Sequence, residues 1–79
     1  MLEVIHLNNL QTIRKSKHLT QNQLVDLSGV NRSLITKYES GEKNINRAAA
    51  ETLYKLALAL DCSIEDLLEK EAMQITERM

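Results

Sequence analysis

Two glycines and no proline in 79 residues leave few places where this backbone can turn sharply, and Gly29 falls between two stretches of helical periodicity. The first stretch can start at Thr20, whose hydroxyl can accept from a backbone N–H three residues on while Gln23 reaches back to the cap, a capping box. Leu24, Leu27 and Ser28 then share one face of that helix. Gly29 accepts a left-handed backbone at no steric cost, so it can both end the helix and redirect the chain. Asn31 is a good cap for the next helix, which presents Leu34, Ile35 and Tyr38 inward and leaves Arg32, Ser33, Thr36 and Lys37 pointing away from the core.

Two short helices locked at an angle by one glycine are the outline of a helix-turn-helix, and two long cations beside two small hydroxyls suit a DNA major groove. The remaining composition points the same way. With no Pro, Phe or Trp, the chain is a poor candidate for a β-sandwich or barrel, and its Leu, Ala, Lys, Glu and Gln content favours an all-α fold. A chain this short buries a lower fraction of its surface than larger domains do, which argues against a sizeable catalytic cleft in a rigid core. Cys62 is the only cysteine, so no intramolecular disulfide forms. The first residues lack a basic start followed by a long apolar run, and no stretch approaches the length of a membrane span, so a cytoplasmic location with no membrane partner is expected.

The net charge of −1 would by itself count against nucleic-acid binding, but the charges are unevenly distributed. Residues 1–47 carry seven cations against four anions, a net +3, and residues 48–79 carry three against seven, a net −4. The positive half contains the helix-turn-helix, and the negative half is expected to turn away from phosphates.

A pass along the chain predicts five helices and no linker that would separate two domains. Leu7, Leu10 and Ile13 set the stripe of a first helix from Asn8 or Asn9 to Lys17, and Met1 to His6 fit a helical extension, an edge strand or a loose end equally. Ser40 to Asn44 reads as a turn. Asn46 is the expected cap of a fourth helix whose buried face is Ala49, Leu53, Leu56, Ala57 and Leu60. Asp61 and Cys62 break it, and Ser63 caps a fifth helix with Glu65 and Asp66 in the first turn. Ile64, Leu68, Ala72, Ile75 and Met79 extend an apolar stripe beyond the expected core, which suits a helical dimer seam as well as it suits a charged tail. The expected division is a DNA-binding domain over 1–68 and a helical extension or tail over 69–79.

The run Leu19-Thr20-Gln21, Leu24-Val25, Ser28-Gly29-Val30, Ile35, Tyr38-Glu39, Gly41, Leu53, Leu56-Ala57, Leu60 and Ser63 through Leu68 resembles the Cro/CI-type repressors. These form the large XRE-like group of five-helix, lambda-repressor-like DNA-binding domains. The resemblance covers about residues 8–68. It implies that Gln21 binds a phosphate, that Arg32, Ser33, Thr36 and Lys37 form the base-reading surface, and that Arg47 lies near the minor groove or backbone. It also implies a buried ion pair between Arg14 and Glu39 that joins the first and third helices. Asn31, Lys15 and Lys43 are expected on the DNA backbone. Two departures stand out: Val25 replaces a usual alanine at the helix–helix contact, and Glu42 stands where a cation often supports phosphate binding.

Other chemistry lacks its parts. No Ser/His/Asp or Cys/His set is convincing, two glycines do not make a phosphate loop, and no carboxylate pair is embedded in an apolar pattern. His6 and His18 lie far from other ligands, Cys62 reads as a small buried filler, and Tyr38 reads as core, so neither a metal nor a cofactor is expected. The leading expectation is a non-enzymatic, sequence-specific DNA-binding regulator, most simply a repressor that binds an inverted repeat of double-stranded DNA as a homodimer. The alternative is a protein-interaction module, such as the antitoxin partner of a toxin.

Overall fold

The computed structural model describes residues 8–69, and they form five α-helices: α1 (Asn9–Ser16), α2 (Gln21–Ser28), α3 (Arg32–Ser40), α4 (Ala50–Leu60) and α5 (Ile64–Leu67). A single 3-10 turn (Ile45–Arg47) lies between α3 and α4, and no strand occurs among the described residues. The expectations for residues 1–7, and for Ala72, Ile75 and Met79 of the apolar stripe, lie outside the described residues.

The helix starts follow from local chemistry. The Thr20 hydroxyl accepts from the Gln23 N–H at 3.0 Å while Gln23 Oε1 accepts from the Thr20 N–H at 2.8 Å, so both halves of the capping box are present. Ser63 and Asp66 repeat the device at α5. Asn31 Oδ1 accepts from the Ser33 N–H and starts α3. The helix ends need positive φ. Gly29 (φ 76°) and Gly41 (φ 87°) terminate α2 and α3. His18 (φ 59°) and Asp61 (φ 56°) do the same after α1 and α4 with side chains that disfavour it. After α4, the Cys62 N–H donates to the Ala57 carbonyl and the Asp61 N–H to the Leu58 carbonyl, the paired bonds of a Schellman ending.

The core is a cluster of leucines and their neighbours. Leu10 of α1, Leu24 of α2, Ile35 and Tyr38 of α3, Ile45 of the 3-10 turn, Leu53, Leu56, Ala57 and Leu60 of α4, and Leu67 of α5 are all buried, with Val30 from the turn after α2. Helix α2 packs on both α3 and α4, while α1 bridges α3 and α5. Leu27 does not join the buried face of α2: it is 60% exposed although it shares a helix face with Leu24, because a short helix docked at an angle buries only part of its stripe.

Two expectations about the fourth helix need correction. Asn46 does not cap it. The chain first makes the 3-10 turn, capped by Asn44 Oδ1, and α4 starts at Ala50 after an Ala49 that makes no side-chain cap bond. The Asn46 side chain reaches across instead, accepting from the Glu69 N–H at 2.7 Å and donating to the Glu69 carbonyl at 2.9 Å. Ala49 is exposed, since it precedes the helix and lies outside its buried stripe.

The apolar stripe of α5 is interrupted as well. Ile64 and Leu68 pack half-buried against the core, but Leu68 is already extended (φ −76°, ψ 148°), so the two are not successive turns of one continuing helix. The strand-like exit is held at its side. The Asn9 amide donates to the Leu68 carbonyl at 2.7 Å, and Glu69 Oε2 accepts from the Asn9 N–H at 2.8 Å.

Asp61 carries a left-handed conformation and an anion at the negative end of the α4 dipole, two unfavourable terms that glycine removes together. Asp61→Gly is therefore expected to raise unfolding stability by about 0.5–1 kcal/mol, and Asp61→Val to lower it. Urea denaturation measures both, and a lower midpoint for the glycine variant refutes the account.

Candidate nucleic-acid interface

Helix α3 presents its outer face from a fixed seat. Arg14 and Glu39, 25 residues apart in sequence but neighbours in space, are 7% and 6% exposed. Arg14 Nε donates to Glu39 Oε2 at 2.7 Å and Nη2 donates to Oε1 at 3.0 Å, the two-pronged geometry of a guanidinium facing a carboxylate. The remaining Nη1 donates to the Leu19 carbonyl at 2.7 Å, and the Leu19 N–H returns a bond to the Arg14 carbonyl. No buried side-chain polar atom among the described residues is left without a partner. The pair thus joins α1, the connector to α2, and α3 without a stranded charge.

The opposite side of α3 is polar and open. Arg32, Ser33 and Thr36 are exposed, Lys37 is half-buried, and all four border one shallow depression with Glu42. The fold therefore brings the four expected base-reading residues onto one surface. Glu42, which the family resemblance marks as standing where a cation often supports phosphate binding, contributes an anion to its rim. The expected backbone residues are spread around this surface: Lys15 is exposed in the last turn of α1, Asn31 is exposed at the start of α3, Lys43 follows the Gly41 turn with its N–H on the Lys37 carbonyl, and Arg47 is exposed at the end of the 3-10 turn.

Gln21 has a second engagement that sequence reasoning missed. Its Nε2 donates to Glu39 Oε1 at 3.0 Å, and its Oε1 accepts from the Thr36 hydroxyl at 3.3 Å. The half-buried amide therefore links the ion pair to the outer face of α3. Such a bond spans 15 residues and has no signature in local spacing.

Asn8 closes the same end of α3. Its oxygen caps α1 through the Gln11 N–H, while its amide donates to the carbonyls of Tyr38 at 2.7 Å and Glu39 at 3.0 Å. These carbonyls lie in the last turn of α3, where acceptors lose their intrahelical partners.

The other groups offer little chemistry. Burial pushes the Cys62 thiol above its ordinary pKa, with Asp66 and Asp61 adding to the shift and Lys17 opposing it, so it stays protonated near neutrality and is a poor nucleophile. No group of three His, Cys, Asp or Glu side chains among the described residues is placed to hold a metal ion. No helix among the described residues is long and apolar enough to cross a membrane. The conspicuous surface away from α3 is apolar: Tyr54 and Leu58, one turn apart on α4, are 57% and 63% exposed. Their i, i+4 spacing is visible in the sequence, but only the packing reveals which apolar positions of α4 face solvent.

Comparison with known proteins gives a consistent set. A helix-turn-helix family model matches residues 10–67. The chain is 33% identical over 66 residues to the control protein C.SmaI of Serratia marcescens, covering 84% of this chain and 75% of that one. It is 38% identical over 61 residues to the HTH-type transcriptional repressor RghR of Bacillus subtilis, covering 77% of this chain and 44% of the repressor. It is 36% identical over 64 residues to the HTH-type transcriptional regulator YqaE of the same organism, with 81% of this chain and 53% of YqaE covered, so it spans only about half of these two relatives. The crystal structure of the restriction-modification controller protein C.AhdI from Aeromonas hydrophila superposes with a TM-score of 0.66 at 35% identity, covering 76% of this chain and 86% of that one.

Breaking a buried ion pair from one side strands the other charge and costs about 3–5 kcal/mol, whereas an exposed pair contributes under about 1 kcal/mol. Glu39→Gln keeps the shape and removes the charge, and is expected to lower the melting temperature clearly. A double-mutant cycle with Arg14→Met is expected to give strong coupling; additive losses at the two positions would refute a joint role.

Proposed function

Because the chain belongs to the XRE-like helix-turn-helix family of DNA-binding transcription regulators, we propose that it reads a specific DNA sequence with the outer face of α3 and represses transcription as a homodimer on an inverted repeat. The observation that carries the reading is the convergence of Arg32, Ser33, Thr36 and Lys37 on one open surface of a helix seated from behind by a buried ion pair. A bare helix face in this setting has donors and acceptors at the reach of base edges, and an arginine can engage guanine O6 and N7 together. Asn31, Lys15, Lys43 and Arg47 serve the phosphates around it, and Gln21, at the start of α2, serves the same purpose.

Repression is supported by the similarity to RghR, which is named a repressor. A second reading, control of restriction-modification genes, is favoured by the similarity to C.AhdI, of which 86% is covered. A reporter placed behind the bound site distinguishes a fall in transcription from a rise.

Charge and surface support a dimeric reading. One small headpiece with a glutamate on its rim binds phosphates weakly, and joining two raises affinity through effective concentration without a new base contact. A two-fold pair sets its recognition helices roughly 34–36 Å apart, one turn of DNA. The exposed Tyr54 and Leu58 face of α4 is the surface we assign to the second copy.

Selection of bound sequences from a random pool identifies the operator. Against it, Arg32→Ala is expected to cost roughly 1–3 kcal/mol and to relax preference at one base position, whereas Lys43→Ala weakens operator and random DNA alike. Equal losses on both DNAs for Arg32→Ala would remove it from the base-reading set.

Leu58→Asp is expected to yield a folded monomer in sedimentation at micromolar concentration, with poor operator binding. If this variant dimerises and binds as the parent does, the α4 face is not the interface. Ile75→Asp then tests the remaining apolar positions near the end of the chain.

A further inference from the structure

The Gln21 amide sits between two groups of fixed polarity. Glu39 Oε1 belongs to a carboxylate paired with Arg14, and a carboxylate can only accept. The amide atom that approaches it at 3.0 Å must therefore be the nitrogen. This choice determines the other end of the amide. The carbonyl oxygen is turned toward Thr36, and an amide oxygen can only accept, so the contact of 3.3 Å exists because the threonine hydroxyl donates its single proton to Gln21. Helical threonines otherwise commonly turn that proton to a carbonyl three or four residues back. Here it goes to α2.

A hydroxyl whose proton is committed has only lone pairs left to offer. Thr36 is exposed on the depression that also holds Arg32, Ser33 and Lys37, so those lone pairs belong to the surface on which DNA is read. We propose that Gln21 is a specificity-positioning residue: held by the buried carboxylate, it keeps Thr36 as an acceptor, so that Thr36 selects an exocyclic amino group in the major groove. The amino groups available there are adenine N6 and cytosine N4. Guanine O6 and thymine O4 are acceptors, and against them a hydroxyl with no proton to give meets lone pair with lone pair. Arg32 and Lys37, which only donate, suit the acceptor edges, so the outer face of α3 carries both polarities.

The inference rests on the DNA-reading function proposed above, and its test separates the two. The operator selected by the full-length protein is the probe, and binding is measured for each base at each position. Thr36→Val keeps the shape and removes the hydroxyl; it is expected to flatten the preference at one position by about fivefold, the effect of one hydrogen bond, and that position is expected to hold adenine or cytosine on the strand that Thr36 faces. Thr36→Ser is expected to retain the preference. Gln21→Met releases the hydroxyl proton and is expected to admit thymine or guanine at the same position, while preferences at the other positions persist.

A Thr36→Val variant that changes no position, or changes one where the contacted edge is an acceptor, overturns the assignment. So does a Gln21→Met variant that binds DNA with the original preference intact. Absence of any selected sequence for the parent protein removes the DNA-reading function itself. The Thr36 variants lie on the surface and leave the core untouched, so they decide the matter even if Gln21→Met fails to fold.

Discussion

The geometry of this small domain depends on the Arg14–Glu39 pair. Its five donors and acceptors reach α1, the connector at Leu19, the start of α2 through Gln21, and the end of α3. Two ions taken from water cost more than they return unless nearly all their remaining hydrogen-bonding capacity is met. Here the guanidinium has partners on three nitrogens, and each carboxylate oxygen has at least one. The consequence is directional. Apolar packing of core residues such as Leu24 and Ile35 tolerates small rotations, whereas two-pronged charge pairing specifies the angle at which α3 meets the rest. A recognition helix needs that angle, because base contacts depend on placement to within a hydrogen bond.

Polar side chains close what a short core leaves open. The helices run from 4 to 11 residues, so a large share of backbone groups lies in first and last turns, where intrahelical partners are missing. Asparagines meet much of this demand. Asn8 caps α1 and serves the last carbonyls of α3, Asn9 holds the carbonyl of Leu68, and Asn46 pairs with both backbone groups of Glu69. Asparagine suits the task because one amide carries both a donor and an acceptor at the reach of a neighbouring main chain. These bonds bring the last described residues against the start of α1, and they leave the outer face of α3 free.

The surface then divides by chemistry. Cations and hydroxyls gather on α3 with Glu42 at the edge, while α4 turns Tyr54 and Leu58 outward. A base-reading face gains from donors of different reach, and an apolar face gains from being covered. The proposed base-reading face and the face proposed for a second copy lie on different helices.

What could be read from the residues alone was local. The capping boxes at Thr20 and Ser63, the cap at Asn31, the left-handed turn at Gly29 and the turn containing Gly41 all depend on bonds within about four residues, so spacing determines them. The outward set of α3 was legible for the same reason, since helical periodicity sorts side chains without reference to the rest of the fold. The Arg14–Glu39 contact came from family resemblance, because nothing in a 25-residue separation encodes it. Where a side chain had two possible partners, tertiary structure decided. Asn46 could cap a helix, but the chain end offered it two bonds, and Asn44 took the capping role for an intervening 3-10 turn. Leu68 fitted a continuing stripe, but its carbonyl was drawn to Asn9 and its backbone became extended. The resemblance implied a phosphate contact for Gln21, and the structure adds to that expectation the bonds of its amide to Glu39 and Thr36. Short-range hydrogen bonds form wherever their residues stand, whereas the partner of a long polar side chain depends on which distant backbone the core brings within reach.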